Sequence, residues 1–172
     1  MGYKMTTSHS KKPIKKKKPI KKKKPIPANI KQRTLSIFQK LRRVEEANID
    51  GNVRCISCGA IMPWKEAQGG HFIPRGVEST CIERDNVNPQ CPRCNGYLSG
   101  NLIQYRINLV KRIGEERVER LENMMMAEKG SDEAMNKLSY EDQINVLRKR
   151  GKVYWKERYD EFKKELKELE SE

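Results

Sequence analysis

Apolar residues recur at three- and four-residue intervals near the start of the ordered part of the chain. Ile30, Thr34, Ile37, Phe38, Leu41 and Val44 share one helical face, which predicts a helix over about 30–48. Asp50-Gly51-Asn52 then turns the chain into Val53-Arg54-Cys55, a short strand. From 51 to about 100 the helical period is lost, and short β-like runs alternate with glycines and prolines. Helical spacing returns at Leu102, Tyr105, Leu109 and Ile113, with Asn101 positioned as a cap and Gly114 as a stop. A second helix from Glu115 aligns Val118, Leu121 and Met125, and Gly130-Ser131 breaks it. Ser139-Tyr140-Glu141-Asp142 has the form of a capping box, with Asp where Glu or Gln is usual. The final run spaces Trp155, Tyr159, Phe162, Leu166 and Leu169 by fours and threes. That spacing fits either a helix packed on its own domain or a coiled-coil seam between two copies.

The first 28 residues follow a different rule. Lys-Lys-Pro-Ile recurs every six residues, with Pro13-Ile14, Pro19-Ile20 and Pro25-Ile26 separated by lysine blocks. Proline interrupts helix and like charges repel, so the segment reads as a disordered, extended arm. It holds eleven lysines and no acidic residue, most of the net charge of +14. A basic arm on a nearly balanced body suggests a polyanion partner, with Lys15, Lys16, Lys17, Lys18, Lys21, Lys22, Lys23 and Lys24 as DNA contacts. The plainer reading is a solubilising tail.

With 172 residues, 35% hydrophobic and 35% charged, the chain has material for one modest core. The layout expected is an arm at 1–28, a helix in 29–50, a compact core at 51–114 and a helical region at 115–172. No apolar run is long enough for a membrane span or signal peptide, so a cytoplasmic location is expected.

Five cysteines change the picture further. Cys55-Ile56-Ser57-Cys58 and Cys91-Pro92-Arg93-Cys94 form two C-x2-C pairs, and two such turns supply four thiolates to one tetrahedral Zn2+. A zinc with four thiolates has no open position, so this metal is structural. Cys81 is left over, most simply as a buried small residue. Between the pairs lies His71, in Gly69-Gly70-His71-Phe72, and Asn95 directly follows the last thiol. A neutral imidazole can act as general base near neutral pH. A carboxamide oxygen can bind a hard cation, Mg2+ or Mn2+. Phosphodiester hydrolysis needs both. Taken singly, His71 is an ordinary loop residue and Asn95 a turn former; the combination carries the reading.

Gly70-His71-Phe72-Ile73-Pro74, then Asn86-Val87-Asn88-Pro89-Gln90-Cys91, then Cys94-Asn95 resembles the HNH, or ββα-metal, nuclease pattern. More closely, Cys55-Ile56-Ser57-Cys58-Gly59, Glu83-Arg84-Asp85-Asn86 and Ser99-Gly100-Asn101-Leu102 resemble the NinG (Rap) recombination endonucleases of lambdoid phages. Tyr105-Arg106 and Arg112-Ile113-Gly114 extend the likeness, which covers roughly 30–128. It implies an α+β fold, a small zinc-stabilised ββα-metal core flanked by α-helices. It also implies cleavage of branched DNA, Holliday junctions and D-loops, alongside phage or host recombination proteins. His71 would be the base, Asn95 the metal ligand, and Asn86 the middle asparagine holding the loop that bears the base. Many HNH sites carry a second ligand just before the base, where this chain has Gly70; either water and DNA oxygens complete the shell, with weak metal binding in the absence of DNA, or Glu83 or Asp85 assists. Arg75 and Arg84 are candidate phosphate clamps, from the fork of the guanidinium.

Two other classes compete: a non-catalytic zinc-binding nucleic-acid adaptor, and an HNH nuclease of homing or restriction type. An adaptor has no need of His71 and Asn95 together, and no separate domain for reading a long site is evident. Resolving a four-way junction takes two cuts, which favours a two-fold homodimer. Deleting residues 1–28 is expected to weaken DNA binding and flatten its dependence on salt, since fewer phosphate contacts release fewer counterions. Affinity titrated against salt checks this, and an unchanged slope would exclude the arm as a DNA contact.

Overall fold

A computed structural model describes residues 25–171; the lysine blocks of the arm and the disorder expected of it lie outside the described residues. The first helix, α1, spans Ile30–Glu45. It stops three residues short of the expected end because Asn48 folds back: its Oδ1 accepts from the Asn52 amide at 2.8 Å and the Asp50 amide at 3.2 Å. Gly51, at φ +72°, completes this turn.

Two short antiparallel hairpins follow. Strands β1 (Asn52–Arg54) and β2 (Ile61–Pro63) pair Asn52 with Pro63 and Arg54 with Ile61. Strands β3 (Gln68–His71) and β4 (Val87–Gln90) pair Gln68 with Gln90 and His71 with Val87. All four β4 residues are buried, although three of them are Asn88, Pro89 and Gln90. Most of their polar groups find partners inside, Gln90 Oε1 excepted: Asn88 Nδ2 donates to Tyr105 Oη at 3.1 Å, and Tyr105 Oη donates to Gly70 O at 3.1 Å. A π-helical turn at Arg93–Tyr97 leads into α2 (Leu102–Ile113).

Helix α2 does not start as the sequence suggests. Asn101 sits in the left-handed region at φ 45°, makes no side-chain cap bond to α2, and turns its Nδ2 towards Cys94 Sγ at 3.6 Å. The correction has a physical reason, since the residue that would cap the helix is drawn to the cysteine turn. Helix α3 (Glu115–Glu128) buries Val118, Leu121, Met124 and Ala127, so Met124 rather than Met125 is the fully inward residue. Ser131 caps the short α4 (Asp132–Asn136) through the Ala134 amide. Ser139 caps α5 (Tyr140–Leu147) through the Asp142 amide at 3.2 Å.

The core is divided. One cluster joins Phe72, Ile73 and Val77 to Tyr105 and Leu109 of α2 and Val118 and Leu121 of α3. Another joins Phe38 and Leu41 of α1 and Val87 of β4 to Phe162 and Leu166 of α6 (Lys152–Leu169). The apolar face of α6 is therefore used within the chain, which corrects the dimer-seam alternative. Phe38 and Phe162 lie 4.8 Å apart between ring centroids, and Thr34 Oγ1 donates to Trp155 O at 2.8 Å. These pairs, with Lys40 and Glu170 at 2.6 Å, rise together along both helices, so α1 and α6 run parallel.

Phe162→Ala should lower the unfolding free energy by about 3 kcal/mol or more, as for other buried aromatic truncations. Chemical denaturation at several protein concentrations tests it, and the loss should not depend on concentration. A concentration-dependent midpoint would restore the intermolecular seam.

Candidate metal centre and adjoining cleft

The end of β1 and the β4–π-turn connection bring the two C-x2-C pairs together. Cys55 N donates to Ala60 O at 2.8 Å and Gly59 N to Cys55 O at 2.9 Å, closing the first turn, with Gly59 at φ +76°. In the second, Cys94 N points at Cys91 Sγ at 3.4 Å and Asn95 N donates to Cys91 O at 3.0 Å. The sulfurs of Cys55, Cys58, Cys91 and Cys94 all lie within 4.8 Å of one another, and those of Cys58 and Cys91 are 3.8 Å apart. Four sulfurs around one ion at about 2.3 Å stand about 3.8 Å apart. The donor set fits, and these cysteines could hold a metal such as zinc. Burial pushes the Cys94 thiol up to about 12, so a cation would be needed to hold it as thiolate at neutral pH. Cys81 is buried away from this cluster, its thiol raised to about 11 by burial and directed at Glu78 O at 3.4 Å. It is an inert core residue.

Beside the cysteines lies a cleft of about 410 Å³ lined by Gln39, Gly69, His71, Phe72, Pro74, Arg75, Asn95, Ser99, Gly100 and Leu102. It brings together His71, at the end of β3, and Asn95, on the π-helical turn, two residues far apart in the chain. His71 Nε2 is 3.1 Å from Cys81 O. A carbonyl oxygen only accepts, so Nε2 carries the proton and the lone pair lies on Nδ1. Burial holds the imidazole below its ordinary pKa, and Arg75 adds to this against the opposing Cys81 carbonyl. The ring is accordingly neutral at pH 7. Asn95 Nδ2 donates to Gln68 Oε1 at 2.7 Å, which orients the carboxamide from the far end of β3.

Asn86 is fully buried and ties down the loop after His71. Its Oδ1 accepts from the Ile73 amide at 2.6 Å, while Nδ2 donates to Ile73 O at 3.0 Å and Thr80 O at 2.9 Å. Glu128 of α3 grips the same loop, accepting from the amides of Glu78 and Ser79, each at 2.8 Å. Cys81, whose carbonyl orients His71, lies two residues further on. Gln68, Glu128 and the Cys81 carbonyl escape sequence reasoning; a backbone acceptor has no side-chain signature, and an isolated Gln or Glu reads as surface.

Other candidates lie elsewhere. Arg84 does not reach the cleft: its Nη2 bridges Glu45 of α1 at 2.9 Å and Glu165 of α6 at 2.5 Å. It ties two helices together rather than clamping phosphate. Asp85 is gripped by Arg117, whose Nε donates to Oδ2 at 2.9 Å. Glu83 is paired with Arg120 at 3.5 Å, with its pKa raised by burial. Neither carboxylate lines the cleft, which favours the alternative in which water and DNA oxygens complete the shell. Gly70 has a steric reason for lacking a side chain: a Cβ there would sit 1.9 Å from Gln90 Oε1.

The geometry defines a class first, a small α+β protein in which helices wrap short hairpins and a four-cysteine centre able to hold a metal. The family described as Bacteriophage Lambda NinG protein matches residues 3–168, and the chain belongs to this NinG family. It is 34% identical over 74 residues to the protein ninG of Escherichia phage lambda, covering 43% of this chain and 36% of that one. For the protein ninG of Escherichia phage 933W the identity is again 34% over 74 residues, 43% and 37% of the two chains. For that of Salmonella phage P22 it is 29% over 101 residues, 58% and 50%. The matches thus span only about a third to a half of the length of these curated relatives. No solved structure matches. Among the described residues no helix is long and apolar enough to cross a membrane.

Purified protein should carry about one zinc per chain, and Cys94→Ser should release it and unfold the region 51–100, because such sites are coupled to folding. Metal analysis with circular dichroism reads both. Native structure retained after full chelation would sink the four-thiolate centre.

Proposed function

We propose that this chain is a metal-dependent endodeoxyribonuclease of the HNH, or ββα-metal, type. Its substrates on this reading are branched recombination intermediates, Holliday junctions and D-loops, met in the cytoplasm of the bacterial host with phage or host recombination proteins. The observation that carries the reading is the meeting of His71 and Asn95 in one cleft beside the cysteine cluster. The order β3, β4, then helix, with the histidine ending the first strand and the asparagine opening the helical part, supports it.

His71 takes the proton of the attacking water on Nδ1, while Nε2 keeps its own proton on the Cys81 carbonyl. The developing imidazolium is stabilised by that carbonyl. Asn86 and Glu128 keep the loop, and so the ring, from drifting. Asn95 Oδ1 would hold a divalent cation, Mg2+ or Mn2+, which supplies positive charge for the leaving oxygen when bound. With Glu83 and Asp85 engaged by arginines, the rest of its shell falls to water and phosphate oxygens, as Mg2+ prefers. Arg75, exposed at the cleft, is placed to meet a phosphate.

His71→Ala should slow single-turnover nicking of a four-way junction at least about a hundredfold, leaving zinc content intact. Asn95→Ala should be as damaging and partly rescued by raised Mn2+. Because the His71 pKa is lowered, the loss of rate on acidification, as Nδ1 is protonated, should set in at lower pH than for an ordinary imidazole. Near-normal cleavage by a folded His71→Ala chain would leave the adaptor reading instead.

A further inference from the structure

Thirteen large apolar side chains are exposed among the described residues, and five of them fall within eleven consecutive positions: Tyr97, Leu98, Leu102, Ile103 and Ile107. Tyr97 is 86% and Ile103 77% exposed. Such a concentration is unlike the scattered apolar residues of an ordinary surface. It is also directly continuous with the cleft, because Ser99, Gly100 and Leu102 line the cavity that holds His71 and Asn95.

The ridge is stiff. Gly100 N donates to Cys94 O and Asn101 N to Leu98 O, each at 2.8 Å. Ser99, Gly100 and Asn101 all hold positive φ, so the backbone between Leu98 and Leu102 follows a tight path anchored on a candidate metal ligand. A rigid apolar edge loses little conformational freedom on binding.

Its borders carry charge. Arg75 lies across the cleft and Arg93 opens the π-helical turn; both are exposed, and among the described residues neither makes an ion pair. A second copy or an apolar peptide seated here would strip water from unpaired guanidiniums, which is costly. A linear duplex hides the apolar faces of its bases. What offers apolar faces and negative charge together is a strand whose bases are unstacked.

We propose that the ridge Tyr97–Leu98–Leu102–Ile103 receives unstacked bases at the branch point of a DNA junction, with flanking phosphates meeting Arg75 and Arg93. This rests on reading the His71–Asn95 cleft as the site of DNA cleavage and deepens it, since the ridge would select branched over linear DNA at the point of cutting. Stacking on Tyr97 and wedging by Ile103 are the two contacts that matter.

The test uses the full chain, a four-way junction with 2-aminopurine at the branch point, and no added Mg2+. Binding of the unmodified chain should change the 2-aminopurine fluorescence as the base exchanges its neighbouring bases for the ridge. Tyr97→Ala and Ile103→Ser, both at exposed positions, should each weaken junction binding about tenfold or more and suppress the signal, in keeping with loss of one base–side-chain stack. Tyr97→Phe should keep both, and linear-duplex affinity, zinc content and thermal midpoint should not change. Unchanged junction affinity and fluorescence in either alanine or serine variant would overturn the proposal. So would variants that lose self-association in sedimentation instead, which would assign the ridge to a second copy. Nicking is read separately in Mg2+: ridge-dependent fluorescence without nicking sinks the nuclease reading alone, and nicking indifferent to the ridge sinks the ridge alone.

Discussion

Two adjacent glycines set the spacing of everything around them. A Cβ on Gly69 would stand 2.7 Å from Gln39 Cβ on α1, and one on Gly70 would stand 1.9 Å from Gln90 Oε1. Real atoms do not approach so closely, so β3 lies against α1 on one side and the Gln90 side chain on the other only because both positions are bare. Gln90 uses that room to reach Ser57 Oγ at 2.6 Å and Gly100 O at 2.7 Å. One buried amide thus joins the first cysteine turn to the approach of α2. Widening the gap would separate the cysteine cluster from the helix that leads out of it, and His71 from Asn95.

The same crowding settles how the cleft is charged. With no side chain at position 70, and with Glu83 and Asp85 turned towards Arg120 and Arg117, none of the residues that line the cleft is acidic. His71 is therefore spared a neighbouring anion that would raise its pKa, and burial lowers it unopposed except by one carbonyl. The acidic residues of 83–85 are not idle. They pin the loop between β3 and β4 to α3, the helix that also sends Glu128 into it.

Helices with a clear apolar period were legible from the sequence, because burial of one face is a periodic demand: α1, α2, α3 and α6 all lie where Phe38, Leu109, Leu121 and Phe162 require. The cysteine centre was legible for a chemical reason, since paired thiols at short spacing have few other uses. What the sequence hid falls into two kinds. Asn101 and Asn48 are side chains with several local partners available, and tertiary proximity to Cys94 or a turn decided between them. Arg84 and Asp85 sit inside a motif-like stretch, yet their partners come from residues 32 to 81 positions away. Charge pairing across such distances leaves no periodic trace. The face of α6 was ambiguous for the same reason, as spacing states that a face is buried but not against what.

The parallel pairing of α1 with α6 reaches across nearly the whole described chain, from Thr34 to Trp155 and Phe38 to Phe162. Contacts between such distant residues require a long loop to close before they form. Part of the apolar face of α1 consequently stays open until α6 is made, although Val87 of β4 already packs on Phe38 and Leu41. The cysteine turns, closed within some forty residues, can organise far earlier. Assembly is thereby ordered in time: the cysteine turns and their hairpins stand first, and α6 closes over α1 later.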